Sequence, residues 1–289
     1  MTSLWLREDV KLDPGTFLLQ WAAGGLFFGW ITTRRREVSI GYGWLIRITF
    51  GLMAGSAVVL FVANDHPSAA APALLCTLSA GFALLVSVLR RRAGVRGREE
   101  LRARRRARVS AMIGRTDHDD VVLGPEFPPM LDLPAPILGF IGLVVAAEFA
   151  GGPYALAAAR LLVGALFLGS VTDAMLLGHW YLVQPGLRRE PLNELVRWTI
   201  CVWPFEVAVF LWPTGMIQVL NGTIDDGYSG LLGWIWVVCA VTTIFLVLLT
   251  RAALREKQYS AVMAATGLLY LAILTAFGTD LLARAVLKP

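Results

Sequence analysis

Apolar residues run along this chain in long, nearly unbroken stretches, separated by short polar or charged ones. The stretches are continuously apolar and do not alternate over about ten residues, which argues against membrane β-strands. A bilayer core of roughly 30 Å needs about 20 apolar residues in a helix. Eight stretches meet that length, at 15–33, 40–63, 69–89, 134–151, 155–183, 198–220, 230–250 and 261–283. The pattern predicts an all-α integral membrane protein, a bundle of about eight transmembrane helices occupying residues 1–289 as one polytopic domain.

Composition agrees, with 56% hydrophobic residues and a mean hydropathy of +0.63, outside the range of an ordinary soluble domain. The net charge of +5 invites a nucleic-acid reading, but the basic residues sit in alternate loops, as the positive-inside rule requires. Arg34, Arg35 and Arg36 follow the first span, and a dense run from Arg90 to Arg115 follows the third. Arg188, Arg189 and Arg197 lie between the fifth and sixth, and Arg251, Arg255 and Lys257 follow the seventh. The opposite loops, Asn64–Ser68 and Asn221–Ser229, hold no Lys or Arg. Basic loops in the cytoplasm, both termini outside and no nucleic-acid partner follow. The abundance of Arg and Ala suggests a bacterial cytoplasmic membrane. The charged start, with Arg7, Glu8, Asp9 and Lys11, does not read as a cleavable leader.

The main extramembrane segment is 90–133, arginine-rich and then acidic and proline-rich. Its first half suits the anionic lipid surface or a cytoplasmic partner, each basic residue contributing on the order of 1 kcal/mol at such a surface. Its second half reads as an extended strap into the fourth span.

Candidate chemistry concentrates in the fifth and sixth spans, where Asp173, His179 and Glu206 interrupt apolar sequence. An ionisable group in hydrocarbon costs at least about 2.5–3.5 kcal/mol on insertion scales and faces a cavity, a partner or a pathway. At 1.5 Å per residue from the predicted helix ends, His179 lies roughly 7 Å deep, Glu206 roughly 12 Å and Asp173 roughly 16 Å. Such steps suit a proton relay. Asp173 and His179 are about 120° apart around their helix and need a bridge. Pro204 and Pro213 free backbone carbonyls in the sixth span. Met175, His179, Trp180, Tyr181 and Trp203 surround the same region and suit a flat, carbonyl-bearing head group such as a quinone. Glu148 with Arg160 reads as an outer ion pair and Asp280 with Arg284 as an ordinary helix pair. Arg47 reads as snorkelling to the cytoplasm. Gly24–Thr32 and Gly164–Thr172 look alike but differ in depth, as small residues recurring at packing positions do.

Several chemistries find no donors. The histidines, His66, His118 and His179, share no depth at which two could hold a haem, and Cys76, Cys201 and Cys239 offer neither iron–sulfur nor zinc spacing. No metal site is predicted; His118 among Asp117, Asp119 and Asp120 reads as a solvated acidic loop. Nucleotide-binding loops, nucleophile elbows and zinc-protease motifs do not occur.

The expectation is therefore a cofactor-free integral subunit of a respiratory or redox complex. It binds a quinone and exchanges protons near the fifth and sixth spans, beside a redox-active partner subunit. Catalysis would belong to an oxidoreductase complex more than to this chain alone. Eight spans with both termini outside resemble, in topology only and with no shared motif, the quinol-interacting membrane anchors of the NrfD and DmsC type. The competing expectations are a proton-coupled secondary transporter or channel, and a structural subunit docking a cytoplasmic partner.

Overall fold

In the computed structural model, residues 13–35, 37–90, 127–184, 187–212, 215–256 and 258–287 are described. They form α1 (Pro14–Thr33), α2 (Ile40–Ala63), α3 (Pro67–Leu89), a 3-10 turn (Pro129–Asp132) and α4 (Pro134–Ala146). These are followed by α5 (Tyr154–Val183), α6 (Glu190–Leu211), the short α7 (Met216–Leu220), α8 (Leu231–Ala253) and α9 (Tyr259–Val286). No strand occurs among the described residues. The charged start, most of the arginine-rich segment with His118, and Arg36, Pro213 and Lys257 lie outside them.

Six helical stretches are long and apolar enough to cross a membrane: Ile40–Ala63, Pro67–Leu89, Pro129–Ala146, Tyr154–Val183, Leu231–Ala253 and Tyr259–Val286. Two expected spans fall outside this set. α1 is diluted by Gln20, Trp21, Trp30 and several glycines, and α6 carries Glu190, Glu194, Arg197 and Glu206.

Local signals set the helix ends. Asp13 caps α1 by accepting from the backbone N–H of Gly15 at 3.2 Å and Thr16 at 2.9 Å, and Pro14 occupies the first turn. α4 stops at Ala146, short of the expected 151, where Gly151 and Gly152 adopt positive φ. α6 begins eight residues before the apolar run, because Leu192, Leu195 and Val196 of its first turns are buried in the core while Glu194 pairs with Arg34 and Arg35. It stops at Leu211, where Trp212 turns extended, so the expected continuous span to 220 is two helices. Asp226 organises the entry to α8, accepting from the backbone N–H of Tyr228, Gly230 and Leu232 at 2.8–2.9 Å. Partial desolvation opposes this, but the backbone donors prevail and hold the Asp226 carboxyl below its ordinary range.

The helices form two groups of four. In the first, α1 packs on α2, α2 on α3, α3 on α4 and α4 back on α1. In the second, α5 packs on α6, α6 on α8, α8 on α9 and α9 back on α5. The groups meet along α1 and α5, the two most enclosed helices: thirteen of twenty α1 residues are buried, as is 72% of the apolar stretch of α5. A Cβ on Gly24 would sit 1.8 Å from the Ala165 carbonyl oxygen, and one on Gly169 would sit 2.3 Å from the Gly24 carbonyl carbon. Only glycine at both positions lets the backbones approach this closely, the usual device of membrane helix contacts.

The periphery is the reverse. In α3 only 28% of the apolar stretch is buried, and Leu78, Phe82 and Leu85 point outward; in α8 the value is 33%, with Val238, Val241 and Phe245 outward. Apolar side chains outside and polar ones inside suit hydrocarbon as solvent.

The basic connections gather at one end of the bundle. Arg34 and Arg35 between α1 and α2 pair with Glu194 of α6 at 2.8 and 3.3 Å. Arg188 reaches Glu37 at 4.0 Å, and Arg189 donates to the carbonyls of Glu256 and Gln258 between α8 and α9.

Candidate functional site

Asp173 sits on α5 at the junction with α1 and α2. It is fully buried, and neither carboxylate oxygen has a hydrogen-bond partner among the described residues. Gly29 of α1 lies beside it, and its missing Cβ makes room for Ile46 of α2: a Cβ there would sit 2.4 Å from Ile46 Cγ2 and at an ordinary contact distance of 3.7 Å from Asp173 Oδ2. The hydroxyl of Tyr42, itself buried, donates to the Asp173 backbone carbonyl at 3.3 Å. Asp173, Tyr181 and Thr32 are the polar neighbours of Tyr42. Tyr181, buried on α5, in turn donates to the Arg188 carbonyl in the basic connection. A line of polar groups thus leads from Asp173 through Tyr42 and Tyr181 to the basic end.

Tyr42 was missed in the sequence. It lies near the start of an apolar span, where a tyrosine reads as part of the interfacial belt.

Glu206 belongs to a different neighbourhood, at the opposite end of the bundle. It too is fully buried, with both oxygens unpartnered among the described residues. Its charged neighbours are Asp280 and Arg284 of α9. Arg284 grips Asp280 with Nε to Oδ2 at 2.8 Å and NH2 to Oδ1 at 3.0 Å, and Gln20 of α1 donates to Oδ1 at 3.1 Å. The Asp280–Arg284 pair is therefore an interior clamp, with Asp280 wholly buried, and not an ordinary surface pair. Gly164 leaves the space: a Cβ there would fall 2.4 Å from Gln20 Nε2 and 2.7 Å from Asp280 Oδ1. Arg160 donates to the Val209 carbonyl at 3.0 Å and lies over the Phe210 ring, while the expected partner Glu148 is exposed and makes no ion pair among the described residues.

Between the two carboxylates, α5 presents Thr172, which accepts from Trp21 Nε1 at 2.9 Å, and Ser170, which accepts from Thr199 at 3.1 Å.

The remaining candidates do not converge. His179 is on the outer surface of α5, its Nδ1 3.1 Å from the Tyr270 hydroxyl of α9. Met175, one turn earlier, is half-buried. Trp180 faces α2, donating to Ser39 at 3.0 Å and meeting Tyr42 edge-on. Trp203 donates to the Ala240 carbonyl of α8 at 3.0 Å. Asp173, Glu206 and His179 thus occupy three separate surroundings, and the residues chosen for a quinone pocket point to several faces.

Arg47 does not snorkel. It is buried and bidentate to Asp132 of the strap, Nε to Oδ1 and NH2 to Oδ2 both at 2.6 Å, with NH1 3.3 Å from Ser87 Oγ and the guanidinium over Phe127. A small pocket adjoins it, lined by Gly29, Trp30, Ile46 and Ala135 among others, away from Met175 and His179. No three or more His, Cys, Asp or Glu side chains among the described residues form a metal-holding group.

Chemically, the molecule offers the buried carboxyl of Asp173 beside α1 and α2, the buried carboxyls of Glu206 and Asp280 at the end of the bundle opposite the basic connections, and a histidine–tyrosine pair on its surface. No protein-family model, curated protein or solved structure matches the chain.

Proposed function

We propose that this chain is a multi-pass subunit of a bacterial cytoplasmic-membrane redox complex. On this reading all eight long helices cross the bilayer, both termini lie outside and the basic connections face the cytoplasm. The subunit carries no redox centre of its own and supplies protons to a quinone reduced by a partner subunit.

One observation carries the reading: the buried, unpartnered carboxyl of Asp173, with Tyr42 and Tyr181 as polar neighbours towards the basic end. A carboxyl without donors in hydrocarbon is costly when ionised, and a costly group in this position marks a pathway more often than it serves as glue. The quinone is assigned to the lipid-facing side of α5 and α9, where His179 and Tyr270 present adjacent polar atoms to the phase from which a quinone arrives. Each quinone accepting two electrons takes up two protons, and the Asp173–Tyr42–Tyr181 line is the proposed supply. Met175 flanks that surface, while Trp180, Tyr181 and Trp203 brace the helices around it.

A second reading is a proton-coupled transporter or channel. The Glu206–Asp280 neighbourhood favours it, since it adds buried carboxyls at the end opposite the basic connections to the mid-helix carboxyl of Asp173.

Purification from the native membrane in mild detergent tests the first reading. A redox partner and stoichiometric isoprenoid quinone, with the quinone lost in His179→Ala and Tyr270→Phe, is the expected result. A lone chain without quinone overturns it and directs work to proton flux in liposomes.

A further inference from the structure

Donors and acceptors do not balance around Glu206. From α9, Arg284 spends Nε and NH2 on Asp280, with NH2 also 3.3 Å from the Arg160 carbonyl. From α1, Gln20 gives Nε2 to Asp280. From α5, Arg160 turns Nε to the Val209 carbonyl. These groups serve Asp280 or the backbone. Among the described residues, Trp236 Nε1 of α8, buried in one cluster with Phe210 and Ala283, has no acceptor, and no donor reaches Glu206 Oε1 or Oε2. Gln20 Oε1, in a wholly buried side chain, is a further acceptor without a donor.

The acceptors in surplus are thus the two oxygens of Glu206 and the amide oxygen of Gln20, grouped around Asp280. An ionised carboxylate left without a donor in such surroundings is among the costliest arrangements a protein can hold. A single proton on Glu206 removes the charge and creates the missing donor. Two carboxyls side by side in low dielectric commonly settle in this way, one ionised and one protonated.

We propose that Glu206 and Asp280 bind one exchangeable proton between them at the end of the bundle opposite the basic connections, with Arg284 as the fixed countercharge of Asp280 and Gln20 as a second acceptor. The ligand is a proton, and the site is distinct from Asp173. Ionisation alternates between Glu206 as acid with Asp280 as base, and the deprotonated pair; the proton leaves without any change in redox state. Arg284, whose side chain is 15% exposed, connects the pair to the bundle end. The role of the site as a far-end station rests on the proton-handling reading above, while proton binding itself does not.

Infrared difference spectra of the full chain in lipid nanodiscs, titrated from neutral to alkaline pH, test it. The expected result is a protonated-carboxyl band that Glu206→Gln removes and Asp173→Asn leaves in place. Asp280→Asn frees Arg284 for Glu206, and the Glu206 band should then shift in frequency as its hydrogen-bond surroundings change. This variant serves as the readout if Glu206→Gln fails to assemble. Superimposable wild-type and Glu206→Gln spectra, or an unshifted band in Asp280→Asn, overturn the proposal. So does loss of the band at fixed pH when sodium replaces choline, which would mark a metal-cation site. Failure of the quinone reading leaves these spectra unchanged, so the two outcomes are separable.

Discussion

The hydroxyl of Tyr42 donates to the backbone carbonyl of Asp173 across 3.3 Å, tying the start of α2 to the middle of α5. The bond goes to the carbonyl, not to the carboxyl, so the tyrosine positions the acid without satisfying it.

Removing that contact separates positioning from proton transfer. We expect Asp173→Asn to slow quinone-coupled turnover of the parent complex by about 10²-fold or more, in the range of a lost acid–base group. Tyr42→Phe should cost about 1 kcal/mol of stability for one hydrogen bond and, since its hydroxyl stands in the proposed line, slow turnover as well. Thermal unfolding beside steady-state turnover checks both. Equal turnover in all three proteins would reduce Asp173 to a structural residue.

The Gly24–Gly169 crossing has no room for side chains. Gly24→Val forces α1 and α5 apart, since its Cβ starts inside the Ala165 carbonyl. Such overpacking costs typically 1–3 kcal/mol, and here it acts at the seam of the two helix groups. Size-exclusion profiles in detergent should show loss of the monodisperse species, whereas Gly81→Val, with open space around it, should be silent.

Arg47 and Asp132 test the buried clamp of the first group. Asp132→Ala strands a buried guanidinium and should lower stability by about 3–5 kcal/mol. Replacing both, Arg47→Met with Asp132→Leu, should recover most of that loss. A double-mutant cycle on unfolding temperature gives the answer, and additive losses would mean the pair is not coupled.

Asp226 supplies a pH dependence outside the membrane segments. Its carboxyl is held below the ordinary range by backbone donors, so its contribution is complete above the unfolded-state pKa of aspartate. It is lost as pH falls through the lower folded value. Hydrogen exchange at the Leu232 amide should accelerate over that acidic window in the wild type. In Asp226→Asn the same amide should lack that dependence.

The apolar runs located most helices closely: 40–63 was expected and Ile40–Ala63 is found, and 155–183 is matched by Tyr154–Val183. Hydropathy says where a chain can be buried, not where its backbone hydrogen bonds begin. For this reason the polar turns Glu190–Arg197 of α6 were assigned to a loop. The site was less legible, because a side chain's partner need not be near in sequence. Asp280 and Arg284 have the spacing of any helix pair, and only Gln20 arriving from α1 and the gap at Gly164 make them interior. Arg47 finds Asp132 85 residues away, which no local pattern announces. Asp173 and His179 lie about 120° apart around α5 and do not touch, but periodicity does not tell that His179 faces out and Asp173 in.

The enclosure of α1 has a consequence for biogenesis. Gln20 leaves the ribosome 260 residues ahead of Asp280, its hydrogen-bond partner, and α1 is also among the less apolar of the helices. Until α5 and α9 are made, the Gln20 amide and the face at Gly24 have no protein to meet, whereas Gly25 and Gly29 already meet Phe50 and Ile46 of α2. Membrane insertion of this chain must therefore shelter this side of α1 until α5 and α9 arrive, and only then do the two helix groups close on one another.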